Sequence, residues 1–357
     1  MNAFGNRYRT TIFGTSHGPF VGCTIEGLSA GLRIDDAVVQ SQLDRRRPGQ
    51  SLLVSQRQEP DRVELSGGLR ERRTSGEPIV AMIRNEDVRS ESYADVGRVP
   101  RPGHGDFAAI MKYGGKSDLV GGGQLSGRMT APLVVSGAIA RQPLASKGIR
   151  FLAHAVQIGR VTARPVSAVE IESNVERTPV RCADLDAADR MIAEIEAARK
   201  GRDSVGGIIE GIVTGLPAGI GEPFFESVES SLAHLMFSIP GVKGVDFGAG
   251  FGAASMRGSE HNDPFAIEGG RVVTASNHAG GILGGITNGM PVTFRVAVKP
   301  TPSIAKPQRS VNLETLTPEE IVVKGRHDPC IVPRAVPVVE NAAAMAILDL
   351  MLIGGFL

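Results

Sequence analysis

A block from the first part of this chain returns in the second part, and that recurrence limits the folds available more than any other feature. Gly27-Leu28-Ser29-Ala30-Gly31-Leu32 reappears as Gly215-Leu216-Pro217-Ala218-Gly219-Ile220, and a helix-like stretch follows each copy. Farther on, Gly67-Gly68-Leu69 and Thr74-Ser75-Gly76-Glu77-Pro78-Ile79-Val80 are echoed by Gly280-Gly281-Ile282 and Thr287-Asn288-Gly289-Met290-Pro291-Val292-Thr293. Elements repeating in order predict an internal duplication, with halves of roughly 7–145 and 205–357 packed as a single domain over 1–357. Chance similarity among glycine-rich loops is the competing reading.

The stretch 184–200 reads as a surface helix joining the halves, within a helical connection over 180–201. Asp184 and Asp186 offer N-caps, Ala188, Met191, Ile192 and Ile195 line one face, and Gly201 supplies the stop. A second stripe, Val228, Leu232, Leu235, Met236 and Ile239, ends at Pro240, which cannot continue a helix. The alternating runs 208–213 and 295–298 read as strands. Pattern alone gives an α/β chain of the α+β type with many antiparallel connections.

Composition excludes several functions. With 357 residues, 41% of them apolar, the chain can bury a large core. A net charge of +1 provides no long-range field to recruit nucleic acid or an anionic membrane, so an anionic small substrate must be met by local arginines. There is no Trp and little aromatic content for base stacking. Cys23, Cys182 and Cys330 are odd in number and widely spaced, which points to free thiols in a reducing, cytoplasmic compartment. Cys330 reads as a packing residue. The N-terminus shows no basic-plus-apolar signal pattern. The most apolar run, 342–357, is broken by Asp349 and Gly354-Gly355 and reads as too short to span a bilayer.

Chemistry concentrates in Lys324-Gly325-Arg326-His327-Asp328-Pro329-Cys330 and the following Val332-Pro333-Arg334-Ala335-Val336-Pro337. The prolines predict a stiff, non-helical segment. Arginine beside aspartate and histidine suits a site that grips phosphate or carboxylate while moving a proton; the bland alternative is a surface ion-pair cluster. Two further histidines stand in glycine-framed turns, Gly14-Thr15-Ser16-His17-Gly18 and Arg101-Pro102-Gly103-His104-Gly105-Asp106. Gly121-Gly122-Gly123-Gln124-Leu125-Ser126-Gly127-Arg128-Met129-Thr130 enters a helical run and makes a plausible anion cradle. It matches neither the P-loop nor the dinucleotide fingerprint.

Together these stretches resemble the chorismate synthase family. The resemblance also takes in Asp44-Arg45-Arg46-Arg47-Pro48-Gly49, Gly258-Ser259-Glu260-His261-Asn262-Asp263, Asn277 to Gly285 and Lys299 to Pro307, in the family's order and from about Arg7 to the C-terminal helix. It implies a sandwich of two four-stranded antiparallel sheets with helices outside, usually as a homotetramer. It also implies conversion of 5-enolpyruvylshikimate 3-phosphate to chorismate, a net 1,4-trans elimination of phosphate and a C6 hydrogen, the last step of the shikimate pathway to aromatic amino acids. Reduced FMN is required, NADPH is a candidate source of its electrons, and an external flavin reductase is the expected partner. An FMN-binding paralogue without turnover is the alternative.

By motif position the resemblance assigns His17 to the leaving phosphate, His104 to the reduced flavin and Asp328 to C6 proton removal. Ser16 and Ser126 fall to the proton network. The substrate's phosphate and two carboxylates need several positive partners, for which Arg46, Arg101, Arg128 and Arg326 are the candidates. The flavin contacts that the resemblance implies are Gln124, Leu125, Ser126, Pro240, Gly241, Gly284, Lys299, Pro300, Thr301, Pro302, Ser303 and Arg326, and Arg46 is linked to nicotinamide nucleotide. Departures from the family pattern occur at Thr15, Leu52, Gln124, Leu125, Gly127, Met129, Gly105 and Phe107. Leu52 stands where a second nucleotide-binding Arg is expected.

Overall fold

The computed structural model describes residues 2–87, 97–323, 325 and 327–357. Two antiparallel sheets frame it. Strands β1 (Ala3–Phe4), β2 (Arg9–Gly14), β3 (Phe20–Glu26), β4 (Val63–Ser66) and β7 (Ile79–Arg84) pair in the order β1-β2-β3-β7-β4, and the hairpin β5 (Leu69–Arg70) and β6 (Arg73–Thr74) lies between β4 and β7 in sequence. Strands β8 (Arg150–Ile158), β9 (Val161–Thr162), β10 (Gly207–Thr214), β11 (Val242–Phe247) and β16 (Val292–Val298) pair as β11-β16-β10-β8-β9. Smaller hairpins are β12 (Phe265–Glu268) with β13 (Arg271–Thr274), β14 (Ile282–Leu283) with β15 (Ile286–Thr287), and β17 (Pro307–Asn312) with β18 (Thr317–Val322).

Without one short edge strand each, the sheets read β2-β3-β7-β4 and β8-β10-β16-β11, the same order of appearance. The repeated glycine blocks begin just after β3 and β10, and their echoes flank the hairpins β5–β6 and β14–β15. Each sheet therefore has five strands rather than the expected four, because the edges of β2 and β8 recruit short segments that cover exposed backbone groups.

The helices correct the expectation that they lie outside. They are α1 (Asp36–Arg46), α2 (Asp106–Tyr113), α3 (Thr130–Ala145), α4 (Ala168–Asn174), α5 (Leu185–Lys200), α6 (Val228–Ser238), α7 (Gly258–His261) and α8 (Val332–Ile353). Helix α3 packs on the first sheet, α8 on the second, and the two pack on each other, so these two helices lie between the sheets. Their composition requires it. α8 is buried on every face from Val332 to Met351 except at Arg334, and α3 is buried from Thr130 to Ala140. At Gly137 a Cβ would come within 2.2 Å of the Asn341 carbonyl oxygen, so only glycine permits this crossing.

The polar residues of α8 are all engaged. Glu340 takes Arg45 and Arg141, and Asp349 accepts from the backbone N–H groups of Asn6, Arg7 and Tyr8. Among the described residues α8 is the one helix long and apolar enough to cross a membrane, longer than the sequence reading allowed, and it is the centre of the core. Pro333 and Pro337 belong to this helix, contrary to the predicted non-helical segment. Pro333 sits in the first turn, where no backbone donor is lost, and the rod ends at Ile331. The helix over 184–200 forms as predicted, capped by Asp184, with Arg202 rather than Gly201 taking the left-handed conformation (φ 55°).

Candidate active site

A cavity of about 560 Å³ opens where the ends of both sheets meet the N-termini of α3 and α8. It gathers His17 from the β2–β3 turn, Arg101 to Asp106 from the entry to α2, and the glycine loop before α3. Pro240–Gly241, Lys299 to Ser303, His327, Asp328 and Arg334 complete it from the second half. The widely separated motifs thus converge on one wall.

Glycine geometry sets the first wall. Gly121, Gly122 and Gly123 adopt φ of 61°, 84° and 52°, which turns the chain sharply into α3. A Cβ on Gly121 would lie 1.9 Å from His17 Nδ1, so the imidazole rests directly on this backbone. The Ser16 N–H donates to the Gly123 carbonyl at 3.2 Å, which ties the His17 turn to the same loop.

Behind this wall lies an ion network that sequence reasoning missed. Asp61, fully buried and at φ 48°, accepts from Arg46 at 2.9 Å and from Arg128. Arg46 also donates to the Thr130 hydroxyl and the Gly127 carbonyl, and Arg128 to the Asn85 side chain and the Arg84 carbonyl. Burial pushes the Arg46 guanidinium down to about 9, opposed by Asp61, which leaves it charged at neutral pH. Asp61 is held below the usual carboxylate range because Arg46 and Arg128 together outweigh its burial. Arg57 pairs with Glu59 and reaches the Ser16 hydroxyl and carbonyl at 3.3 and 3.1 Å. The signal available was the charge alternation in Gln56-Arg57-Gln58-Glu59-Pro60-Asp61.

Arg101 is likewise committed, with both of its contacting nitrogens 2.8 Å from the Asp106 carboxylate. His104 stands beside it. The Pro102 carbonyl can only accept, so His104 Nδ1 carries a proton and donates at 3.1 Å, and Nε2 accepts from the Ser303 hydroxyl at 2.7 Å. Burial, then the Arg101 charge, push this imidazole down to about 4. It is therefore neutral at pH 7, chiefly because burial disfavours the imidazolium and secondly because of the Arg101 charge.

Asp328 accepts from Arg334 Nη1 at 2.8 and 3.0 Å and from the Ser55 N–H at 2.8 Å. Leu125, Ser126, Pro240, Gly241 and the run Lys299-Pro300-Thr301-Pro302-Ser303 line the second side, a surface rich in proline and glycine. Lys299 in this run donates from Nζ to the Gly103 carbonyl at 2.7 Å, which ties it to the His104 turn.

Some expected residues stand elsewhere. Ser16 is buried behind the wall against Arg57, Gln124 is exposed and hydrogen-bonded to the Tyr113 hydroxyl, and Gly284 is in the β14–β15 turn; none lines the cavity. Arg326 lies outside the described residues. Leu52 is 63% exposed and not part of the cavity wall. Among the described residues no cluster of histidine, cysteine and carboxylate side chains could hold a metal ion.

The family model described as chorismate synthase matches residues 8–352. A chorismate synthase of Methanocella arvoryzae is 51% identical over 356 residues, covering 100% of this chain and 95% of the relative. Those of Methanosarcina barkeri and Dehalococcoides mccartyi are 49% and 45% identical, again over 100% of this chain and 97% and 98% of theirs. A crystal structure of chorismate synthase superposes with a TM-score of 0.77 at 27% identity, covering 98% of this chain and 93% of that one. With the cavity assembled from the motifs that carried the resemblance, the chain belongs to the chorismate synthase family, a family of lyases.

Proposed function

We propose that the chain converts 5-enolpyruvylshikimate 3-phosphate to chorismate and phosphate by 1,4-trans elimination in this cavity. The observation that carries the reading is the convergence of His17, His104 and Asp328, from distant parts of the chain, on one arginine-rich wall. The substrate bears a phosphate and two carboxylates, and a wall containing Arg46, Arg57, Arg101, Arg128 and Arg334 suits such a ligand.

In this reading His17, held on the Gly121 backbone, faces the departing phosphate and neutralises charge as the bond breaks. Asp328 accepts the C6 proton. Ser126, which caps the turn before α3, belongs to the hydrogen-bond network. Arg46 and Arg128 act chiefly as fixed charges, because their donors are already bound to Asp61 and to backbone. Leu125, Pro240, Gly241 and Lys299 to Ser303 would hold FMN, which when reduced supplies transient electron density to the breaking C–O bond. His104, which donates from Nδ1 to the Pro102 carbonyl and accepts at Nε2 from the Ser303 hydroxyl, would stand beside the reduced flavin.

Reduced FMN from a separate reductase and a cytoplasmic setting belong to the same reading, the latter supported by three buried free thiols. So does a homotetramer, supported by exposed Phe224, Phe225, Phe251, Phe265 and Ile267. The test is anaerobic phosphate release from 5-enolpyruvylshikimate 3-phosphate with reduced FMN. Turnover is expected. FMN binding without phosphate release would favour the non-catalytic paralogue.

A further inference from the structure

The arginines on the described cavity wall all have carboxylate partners, but the partners differ in kind. Asp61, Glu59 and Asp106, which hold Arg46, Arg128, Arg57 and Arg101, are at most 2% exposed and fixed by several donors each. Arg101 and Arg334 both pair with carboxylates that line the cavity, Asp106 and Asp328, but Asp106 is held by three donors of Arg101 and its pair is only 8% and 3% exposed. The pair of Arg334 and Asp328 is the more accessible: its side chains are 16% and 13% exposed, against 1% and 0% for Arg46 and Asp61. Arg334 occupies the first turn of α8, where the helix dipole disfavours a cation, so it depends on a negative partner.

We propose that the ion pair with Arg334 masks Asp328, and that on binding an anionic group of the substrate takes Asp328's place on the guanidinium and thereby makes Asp328 a proton acceptor. Replacing one carboxylate by another anion keeps Arg334 paired, so the exchange carries little desolvation cost. Asp328 then faces a negative charge instead of a positive one, and its proton affinity rises. Two other groups near it do not restore the mask. Arg46 is held by Asp61 and the Cys330 thiol is neutral because burial pushes it up to about 12; His327, the preceding residue in the chain, lines the same cavity as the remaining titratable neighbour among the described residues. The Ser55 N–H keeps the carboxylate in position. Arg334 is on this account both a substrate contact and a positioning residue. The inference rests on Asp328 being the proton acceptor, and the test separates the two.

Substrate binding to the flavin-free full chain, where no turnover occurs, can be followed by calorimetry near pH 6 in buffers of different ionisation enthalpy. Wild type should take up protons, and Asp328→Asn should lack the share belonging to this carboxylate. Arg334→Gln should bind substrate roughly 10–100-fold more weakly, with Arg334→Lys in between, and both should take up fewer protons than wild type. Equal uptake in wild type and Asp328→Asn, or unchanged affinity in Arg334→Gln, overturns the exchange. If Asp328→Asn turned over normally with reduced FMN, the proton-acceptor assignment would fall instead. Slow turnover with unaltered uptake would leave that assignment standing and sink only the exchange. Melting curves matching wild type exclude misfolding as the cause.

Discussion

The two halves share a sheet order yet present opposite surfaces to the cavity. The first half contributes buried ion pairs centred on Asp61 and Asp106 and a glycine loop under His17. The second contributes Pro240, Gly241, Pro300 and Pro302, together with Lys299. One topology thus carries two surfaces: a rigid wall of buried ion pairs, and a surface rich in proline and glycine. Arg334 and Asp328, at the start of the last helix, carry charge chemistry into the second half.

If the charged wall is a structural unit, removing its centre should produce the largest effect. Asp61→Asn leaves Arg46 and Arg128 buried without their carboxylate and should cost about 3–5 kcal/mol of stability, read from chemical denaturation. Because the folded carboxyl titrates below its unfolded value near 3.9, its contribution is present above that pH and is lost as pH falls through the lower, folded value. An unchanged acid limb in the variant would contradict the assignment.

His17→Ala tests the chemistry of the same wall. Turnover should fall about 10²–10⁴-fold with substrate affinity less affected, measured by single-turnover phosphate release; near-normal turnover would remove His17 from the site. Gly121→Ala should lose a smaller part, about tenfold or more, because the new methyl displaces the imidazole from 1.9 Å away and the φ of 61° adds strain. A structure of this variant with His17 unmoved would refute the support role.

His104 joins the walls through Ser303, and its effect should appear in pH dependence. Its folded value is pushed below the ordinary 6.5 to about 4, so stability is fully present above pH 6.5 and declines as pH falls from 6.5 towards 4. His104→Gln should flatten that decline in melts across the window. The smallest effect is expected from Leu52→Arg: stability within about 0.5 kcal/mol, since Leu52 is exposed. Calorimetry with NADPH then asks whether restoring this arginine tightens nucleotide binding; no change argues against a nucleotide site beside Arg46.

Local chemistry written in the chain determined a good deal. The Asp184 cap and apolar stripe fixed α5, the glycine blocks fall just after β3 and β10 in two sheets of one strand order, and His17, His104 and Asp328 from the singled-out turns line one cavity. Such features depend on near neighbours, so they are legible in one dimension. Tertiary structure decided the rest. It drew α3 and α8 between the sheets, because helices apolar on every face must be covered on every face. It chose the partners of the buried arginines, since Asp61 meets Arg128, far along the sequence, only after the chain closes. It also set the charge state of His104, through burial and a guanidinium whose distance no sequence spacing states.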